Sequence, residues 1–513
     1  MSIKILDCTL RDGGYYTNWD FDSSLVKTYF KNTNLLPLEY LEVGYRSPKE
    51  FGYQGEFFYC TEFTMKRVKN FSTKKLAIII DEKSVNSNQV EELLKPCLGY
   101  IDLVRIAVKP ENVFNALKLA EKIKGMSFNV AFNVMYLSEW QNHKEIKEVL
   151  PKLNNLVDYF YMVDSFGSVF PENIKNIIQE IRALSDISLG FHGHNNIELG
   201  LINTLTAIEN GVEVIDSTVT GMGRGAGNLK TELLLSVLNK TANLDVNFDA
   251  LSDVITAFEE LRFNHQWGTS LPYMVSGARS LPQKEVMEWV SKKYYSLNSV
   301  IRALNTQSSL EKDAKFPVFK VTNKCDRILI IGGGPSVIKH QDAIKELLKN
   351  NPEILLIHAS SKNASPFKTI ANKQYFCLVG NEGLRMSKVF EDLDGFLGDC
   401  ILPPSPRRMG TFVPEEVKQN TFELSKVDFT SLPNDVHTAI AIQTAIDLEV
   451  KEIYFSGFDG YLESEMVQKN HELFFENSQL FKDLEKLKIK FCSLTPTNYK
   501  TLPQSSIYKL INN

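Results

Sequence analysis

The sequence lacks the cysteine patterns that mark disulfide-rich or zinc-binding proteins. Its seven cysteines are scattered singly through 513 residues, with no CxxC pair and no dense cluster. An odd, dispersed set in a large chain is typical of a reducing compartment, so we expect a cytoplasmic protein. Each cysteine is expected to act as a small buried hydrophobic residue.

Other absences narrow the class of function. No apolar run reaches membrane-spanning length, and the first residues show no signal-peptide pattern, so no membrane association is expected. The formal net charge of −5 gives no reason to expect nucleic acid as a partner. What is present is ample apolar material, 43% of the residues, in a chain long enough for two or three domains.

Apolar, β-branched runs alternate with helix-favouring segments over roughly the first 240 residues. They are near-continuously apolar, as parallel strands covered on both faces should be. We predict strands at Ile3–Leu10, Tyr40–Tyr45, Lys75–Ile80, Leu103–Val108, Phe128–Tyr136, Tyr159–Asp164, Ser188–His194 and Val214–Thr220. Eight regular units favour a closed (β/α)8 TIM barrel over the competing doubly wound open sheet.

The rest of the chain divides by pattern. We predict a barrel over residues 1–244, a helical appendage over 245–306 and a polar linker over 307–326. At Arg327 a second alternating pattern begins with RILIIGGGPSV, a buried strand that runs into a glycine-rich turn. The predicted fold class is therefore α/β, a barrel followed by a Rossmann-like α/β domain over residues 327–513.

Polar or ionisable residues stand near the carboxyl end of most predicted barrel strands, where barrel enzymes build their active sites. In chain order they are Arg11, Asp12, Glu42, Arg105, Asn133, Asp164, Ser165, His192, His194 and Asn228. Merely structural strands would not deliver such groups one after another to the same rim. Arg11 and Asp12 are therefore interpreted as part of an active site, although a solvated turn is the alternative that TLRDGG alone allows.

His192 and His194 form the sharpest pair in this set. Residues i and i+2 of a strand point to the same face, and two adjacent imidazoles are good ligands for a divalent metal. A closed barrel would bring Asp12 and the loop residue Asn228 to the same point. The alternative, a pair of hydrogen-bonding core histidines, is weakened by that convergence. Nitrogen and oxygen ligands suit Mn, Mg, Zn, Co or Fe(II), so the ion stays open.

These motifs resemble those of the metal-dependent lyases and condensing enzymes called DRE-TIM metallolyases, which include 4-hydroxy-2-oxovalerate aldolase, 3-hydroxy-3-methylglutaryl-CoA lyase and isopropylmalate synthase. The matching pieces, in the family's order and spacing, are TLRDGG (9–14), LEVGY (41–45), VDSFG (163–167), HGHNN (192–196) and GMGRGAGN (221–228) followed by Glu232. The resemblance implies that Asp12, His192 and His194 bind a divalent metal with Asn228 near it. It also implies that Arg11 stabilises an enolate oxygen.

The resemblance implies an enzyme, a metal-dependent carbon–carbon lyase. We expect an aldolase that acts on a 4-hydroxy-2-oxo acid through a pyruvate-type enolate, with Mn or Mg favoured and Zn or Co as alternatives. The catalytic residues are predicted as Arg11, Tyr15 and Glu42. The substrate-binding residues are predicted as Arg105, Asn133, Asp164 and Ser165.

Tyr15 departs from the family pattern. The aldolases have a histidine base three positions after the metal aspartate, and this sequence has Tyr15 there, followed by Tyr16. Tyr15 could be the base if its pKa is lowered beside the metal, or a metal-bound water could take that role. Packing or substrate contact is the alternative. The change also suggests a substrate different from that of the simple aldolase.

The glycine-rich turn IIGGGPSV (330–337) is a weak nucleotide signal alone, because it is not a clean GxGxxG. Together with residues 437–461 and 491–499 it resembles the Rossmann-like domains of sialyltransferase-like, carbohydrate-associated bacterial proteins. The resemblance implies a nucleotide or sugar-nucleotide site at Gly332, Gly333, Gly334, Ser336 and Asp459, with phosphate contacts from Arg407, Arg408 and Lys500. The alternative is a structural or assembly domain.

The leading prediction is thus an aldolase that joins or separates a 2-oxo acid and an aldehyde, with a role in surface-carbohydrate synthesis. One alternative is a Claisen-type condensing enzyme that uses an acyl-CoA. Another is a bifunctional protein whose C-terminal half is a glycosyltransferase or binds a sugar nucleotide. A homo-oligomer is expected.

Overall fold

The computed structural model describes residues 3–292, 295–307, 314–321, 325–407, 409–433, 435–461 and 468–511. The chain divides into two compact units, Met1–Met287 and Glu288–Asn513. The finer predicted division, with an appendage over 245–306 and a linker over 307–326, stays a prediction. Much of that linker (308–313 and 322–324) lies outside the described residues.

Within residues 3–287, eight parallel strands close into a barrel, so the predicted TIM barrel is confirmed. The strands are β1 (Lys4–Asp7), β2 (Tyr40–Tyr45), β3 (Lys75–Asp81), β4 (Leu103–Val108), β5 (Asn129–Val134), β6 (Tyr159–Asp164), β7 (Leu189–Gly193) and β8 (Val214–Ser217). Pairing of β1 with both β2 and β8 closes the ring. Their residues are almost all buried, as the continuous apolar runs require.

Helices cover the outside of the barrel with their apolar faces. Helix α8, for example, buries Ile174, Ile177, Ile178 and Ile181, the helical spacing of one face. The helices of this unit are α1 (Thr9–Thr17), α2 (Ser23–Thr33), α3 (Glu56–Tyr59), α4 (Glu62–Phe71), α5 (Val90–Leu94), α6 (Val113–Gly125), α7 (Lys144–Leu153), α8 (Pro171–Arg182), α9 (Gly200–Glu209), α10 (Thr231–Ala242), α11 (Phe248–His265) and α12 (Leu271–Ala278). Helix α13 (Gln283–Lys292) includes the boundary between the two units.

The first strand is shorter than predicted. β1 ends at Asp7, and α1 begins at Thr9, so Leu10, Arg11 and Asp12 lie on a helix and not at a strand end. Asp7 forms the turn, because its carboxylate accepts hydrogen bonds from the backbone N–H and hydroxyl of Thr9 at 2.9 and 2.6 Å. The helix still begins at the carboxyl end of β1, which keeps Arg11 and Asp12 on the predicted rim.

Among the described residues of the second unit, seven strands form one parallel sheet, which confirms a second α/β unit. They are β9 (Arg327–Ile331), β10 (Leu355–His358), β11 (Gln374–Cys377), β12 (Asp399–Leu402), β13 (Thr421–Glu423), β14 (Glu452–Ser456) and β15 (Lys490–Ser493), in the order β13-β12-β11-β10-β9-β14-β15. The strand order reverses at β9, whose neighbours are β10 and β14. Crevices at such a switch point are where open α/β sheets bind ligands.

The described helices of the second unit continue the numbering. They are α14 (Leu297–Gln307), α15 (Ser336–Lys339), α16 (Gln341–Asn350), α17 (Glu382–Phe390), α18 (His437–Asp447), α19 (Gln468–Glu485) and α20 (Ile507–Ile511). Across the described part of the chain, no helix combines the length and apolar character needed to cross a membrane.

Candidate active site

His192 and His194 lie side by side at the end of β7, both buried, with ring centroids 4.9 Å apart. Each ring is fixed through its Nδ1 atom. His192 Nδ1 lies 2.8 Å from Asp216 Oδ2, and His194 Nδ1 donates to the backbone carbonyl of Asp164 at 2.8 Å. Contacts of this kind orient a histidine so that its Nε2 atom faces a metal.

Asp12 and Asn228 meet the two histidines at this point. Asp12 Oδ2 lies 3.6 Å from His192 Nε2 and accepts a hydrogen bond from Asn228 Nδ2 at 2.5 Å. An isolated backbone bridge between His194 and Asn228 holds the loop there. The structure therefore brings together the four residues predicted as the metal site.

Electrostatics favour an anionic Asp12 and a neutral His194. Burial opposes ionisation of Asp12, but the Arg11 guanidinium and the neighbouring imidazoles lower its pKa to about 2. Burial, followed by the repulsion of His192, lowers the pKa of His194 to about 3. At neutral pH this pair offers a carboxylate and an imidazole lone pair, which are the forms that bind metal.

Two atoms of the cluster lack partners, and this tests whether a metal would fit. His192 Nε2 and Asn228 Oδ1 are buried and make no hydrogen bond with any described residue. A buried polar atom without a partner costs about 1–3 kcal/mol, so each one needs an explanation, and a bound ion is one such explanation. Both are donor types that divalent cations accept, and the residues present therefore fit such an ion.

Another set of potential ligand atoms, on Cys8, His192 and Asp216, lies within 4.8 Å of one another. Burial raises the pKa of the Cys8 thiol well above its ordinary value, which disfavours the thiolate that binds metal. Asp216 Oδ2 is already bound by His192 and by Arg105. The Nε2 side of His192, facing Asp12, is the better place for an ion.

A chain of alternating charges lies beneath the cluster. Glu42 Oε2 accepts hydrogen bonds from Arg11 Nε at 2.8 Å and from Arg105 Nη1 at 3.1 Å. Arg105 continues to Asp216 Oδ2 at 2.5 Å and to Asn133 Oδ1 at 3.0 Å. Burial would raise the pKa of Asp216, but Arg105 outweighs it and keeps the pKa low.

This chain bears on the predicted roles of its members. Arg105 is fully buried, and its guanidinium binds Glu42, Asn133 and Asp216. Its position gives no support to direct substrate binding by Arg105 or Asn133. Glu42 is buried too, and its position suits the holding of Arg11 more than contact with substrate.

Asp164 and Ser165 order the loop after β6. The Asp164 carboxylate accepts the backbone N–H groups of Ser168 and Val169 at 3.0 and 3.2 Å, and burial raises its pKa to about 6. Ser165 Oγ accepts the N–H of Tyr136 at 2.9 Å. Both residues lie at the predicted rim, with their side chains turned to backbone groups.

Tyr15 lies on α1, beside the candidate metal site. Its hydroxyl is 2.9 Å from that of Tyr45, and the Arg224 guanidinium lies over its ring, 4.7 Å from the centroid. Tyr16 instead donates to the carbonyl of Gly225 at 3.3 Å. Within the glycine-rich loop 221–228, the backbone of Gly223 lies close to the Asn228 side chain. A Cβ on Gly223 would come within 2.8 Å of the Asn228 amide, which explains the glycine at this position.

Three residues of this site were missed by the sequence predictions: Asp216, Arg224 and Tyr45. Asp216 was included in the eighth predicted strand as an ordinary strand residue. A carboxylate inside an apolar strand was nevertheless a signal, because a buried charge needs a partner. Arg224 was visible as the charged residue of GMGRGAGN.

Comparisons with known proteins bear on the family of the barrel unit. A family model described as HMGL-like matches residues 105–257. The barrel unit belongs to the HMGL-like family. Among its relatives, oxaloacetate decarboxylase of Mycobacterium tuberculosis is 26% identical over 310 residues, which is 58% of this chain and 89% of that protein. The 4-hydroxy-2-oxovalerate aldolase of Bacillus cereus is 26% identical over 264 residues, 49% of this chain and 74% of that protein.

A solved structure extends the HMGL-like assignment. The N-terminal domain of a candidate aldolase from Bacteroides vulgatus is similar with 51% identity and a TM-score of 0.56, over 59% of this chain and 100% of that one. The named relatives are DRE-TIM lyases, so the predicted resemblance and the assignment as an enzyme are confirmed. DRE-TIM aldolases use a divalent metal, and this HMGL-like barrel has residues that could hold one.

The comparisons give no support to a sialyltransferase-like second unit. The structure does gather the predicted nucleotide-site residues at the switch point of the sheet. However, the Asp459 carboxylate accepts the N–H of Ser336 at 2.9 Å and also binds its hydroxyl. Lys362 and Asn363 donate to the carbonyls of Gly333 and Gly334 at 3.1 and 2.9 Å. The turn thus holds an anion of its own where a phosphate would bind.

Arg407, one of the three basic residues predicted to contact phosphate, is held by other groups. Arg407 is buried and donates to Glu423 at 2.6 Å and to the carbonyl of Ala314 at 2.8 Å. Arg408 lies outside the described residues, and Lys500 is exposed.

Proposed function

We propose that the barrel unit is a divalent-metal-dependent aldolase that makes or breaks a C–C bond of a 4-hydroxy-2-oxo acid through a pyruvate-type enolate. The observation that supports it most is the convergence of Asp12, His192, His194 and Asn228, with two buried ligand atoms left unpartnered. These four residues would hold the ion, for which Mn or Mg is favoured. When bound, it would polarise the substrate carbonyl and neutralise charge that develops on the oxygen.

Arg11 would bind the developing enolate oxygen. Glu42 holds Arg11 through Nε, and Asp12 holds it through Nη1. Its Nη2 makes no hydrogen bond with a described residue, so this donor remains for a ligand. A cation fixed before the reaction stabilises developing negative charge without reorganisation.

Tyr15 would move the proton of the substrate's 4-hydroxyl. In cleavage, a Tyr15 phenolate takes that proton, the C3–C4 bond breaks, and its electron pair forms the enolate as the aldehyde leaves. Return of the proton from Tyr15 to C3 gives pyruvate and restores the phenolate. Tyr45, whose hydroxyl lies 2.9 Å from that of Tyr15, would hydrogen-bond the phenolate and stabilise it.

A second candidate activity uses the same enolate. The relative named oxaloacetate decarboxylase is matched over 89% of its length, and loss of CO2 from oxaloacetate also leaves a pyruvate enolate. An acyl-CoA condensing enzyme is the remaining alternative. Release of CO2 from oxaloacetate favours the first, and release of free CoA from an acyl-CoA and a 2-oxo acid favours the second.

The test is cleavage of 4-hydroxy-2-oxopentanoate, followed by coupled detection of pyruvate, in metal-free buffer and with Mn or Mg added. Asp12→Asn should lower kcat/KM on the order of 10³-fold, because it removes the anionic ligand and the partner of Arg11. Asp81→Asn is the matched control, since it makes the same change at the end of β3, where Asp81 pairs with Lys83 at 3.2 Å. Metal-independent cleavage, or equal losses in the two variants, would contradict the proposal.

For the second unit, a nucleotide or sugar nucleotide remains the proposed ligand, and a link to carbohydrate synthesis depends on it. The supporting observation is the position of Gly332–Ser336 and Asp459 beside β9 and β14. Because Asp459 occupies the glycine turn, a ligand would present sugar hydroxyls to this carboxylate and not phosphate. Titration calorimetry of the full chain with CMP, UDP and their sugar conjugates tests this, and no heat with any of them would contradict it.

A further inference from the structure

Arg224 differs from the other two arginines of the barrel site in having no partner for its charge. Arg11 and Arg105 are both paired with buried carboxylates. No hydrogen bond or ion pair joins the Arg224 guanidinium to any described residue, and its Nε atom is buried. A buried guanidinium N–H without an acceptor is costly, so the position of this cation suggests an anionic ligand.

The surroundings of Arg224 place it at the catalytic cluster. It stands in the loop 221–228 that also delivers Asn228 to Asp12. Tyr15, whose ring lies beside the guanidinium, raises the pKa of Arg224 most, against the effect of burial, and Tyr45 and Asp12 raise it further. Its guanidinium lies over the Tyr15 ring and leaves the N–H donors at its edge available.

Geometry decides which end of the substrate Arg224 would meet. In the proposed reaction the 2-oxo acid end is bound by Arg11 and the metal ligands. Tyr15 handles the hydroxyl on C4, the carbon that comes from the aldehyde. Because Arg224 contacts Tyr15, it lies on the aldehyde side of the reacting bond.

We propose that Arg224 binds an anionic group of the aldehyde, so that the enzyme joins pyruvate to an aldehyde that carries a carboxylate or a phosphate. The inference rests on the proposed aldolase function and adds its substrate class. Arginine suits both anions, because its planar fork of N–H donors matches two oxygens at once.

The test compares aldehydes matched in size that differ in charge. Wild-type kcat/KM for condensation with pyruvate is measured with succinic semialdehyde against butanal, and with glyceraldehyde 3-phosphate against glyceraldehyde. The wild type should prefer the charged member of one pair. Arg224→Ala should lower that preference about 10- to 100-fold, mainly through KM, and Arg224→Lys should retain part of it. The preferred pair distinguishes carboxylate from phosphate.

Direct binding gives a readout that does not depend on turnover. The wild type and Arg224→Ala are each titrated with two unreactive alcohols. One is 4-hydroxybutanoate, the alcohol of succinic semialdehyde, and the other is glycerol 3-phosphate. Arg224→Ala should raise the Kd of the preferred ligand by a similar factor. Lys109→Ala, which removes a rim cation that pairs with Glu111 at 3.9 Å, is the control and should leave the preference unchanged.

Two failures are distinguishable. If wild-type protein exchanges the methyl protons of pyruvate but Arg224→Ala keeps the same ratio of charged to neutral aldehyde, the inference is wrong and the aldolase proposal stands. A wild-type preference for the neutral aldehydes would likewise show that the inference about Arg224 is wrong, and the aldolase proposal would stand. If the wild type does not exchange those protons with any metal, the proposed function fails and the inference falls with it.

Discussion

The two units each place an aspartate and a glycine-rich segment at the carboxyl ends of parallel strands, and they use them in opposite ways. In the barrel, Asp12 lies among groups that retain unpartnered atoms, on His192 and Asn228. In the second unit, Asp459 is bound by Ser336 and closes the turn itself. The two clusters therefore show that motif residues alone do not mark a ligand site, and that the unpartnered ligand atoms beside Asp12 separate the barrel cluster from the closed turn at Asp459.

The two clusters are expected to affect the stability of their units differently. A turn that satisfies its own hydrogen bonds contributes to stability, whereas unpartnered buried atoms reduce it. Proteins tolerate such costs mainly where a ligand repays them. Substitutions of Arg105, Asp216 and Asp459 test this contrast, and their expected effects decrease in that order.

Arg105→Met should have the largest effect on stability. It removes the cation between Glu42 and Asp216 and leaves these two buried carboxylates with only Arg11 and His192, respectively, as remaining partners among the groups of the charge chain. We expect a loss of about 3–5 kcal/mol in the free energy of unfolding of the barrel unit, measured by urea denaturation. A loss below about 1 kcal/mol would mean that the charge chain does not hold the site together.

Asp216→Asn should weaken metal binding without removing a ligand. The carboxylate orients His192 through Nδ1 and increases the basicity of its Nε2. We expect the Kd for Mn, measured by titration calorimetry, to rise about 10- to 100-fold. Asp81→Asn serves again as the control, and equal Kd values for the two variants would remove Asp216 from the account.

Asp459→Asn should have the smallest effect, and only on the second unit. The amide keeps the shape of the side chain but weakens its charge-assisted hydrogen bonds to Ser336. We expect a loss of about 1–2 kcal/mol in the stability of this unit, with kcat/KM of the barrel reaction unchanged. A stabilised protein would show that the Asp459 carboxylate is not satisfied by the turn, and the contrast between the units would disappear.

Much of the barrel could be predicted from sequence because parallel strands buried on both faces give continuous apolar runs. The bounds of β2, β4 and β6 agree with the prediction residue for residue. The end of β1 could not be placed, because the Asp7 turn interrupts an apolar run that continues into α1.

The convergence of Asp12, His192, His194 and Asn228 was predictable because closure of the barrel brings the ends of β1, β7 and β8 together. The contacts around it were not, because they depend on strand register. The pairing of Phe191 with Ile215 sets His192 beside Asp216, and no local pattern reveals that register. Likewise, nothing local to Arg105 shows that it is buried between Glu42 and Asp216.

The central claim is that the barrel site forms a pyruvate enolate with a bound divalent metal. The most direct measurement is exchange of the methyl protons of pyruvate in deuterium oxide, followed by proton NMR with Mg and without metal. The account predicts metal-dependent loss of the methyl signal in the wild type and in Asp81→Asn, and none in Asp12→Asn. An unchanged methyl signal in the wild type with Mg, Mn, Zn and Co in turn, using line-broadening controls for the paramagnetic ions, would contradict the account.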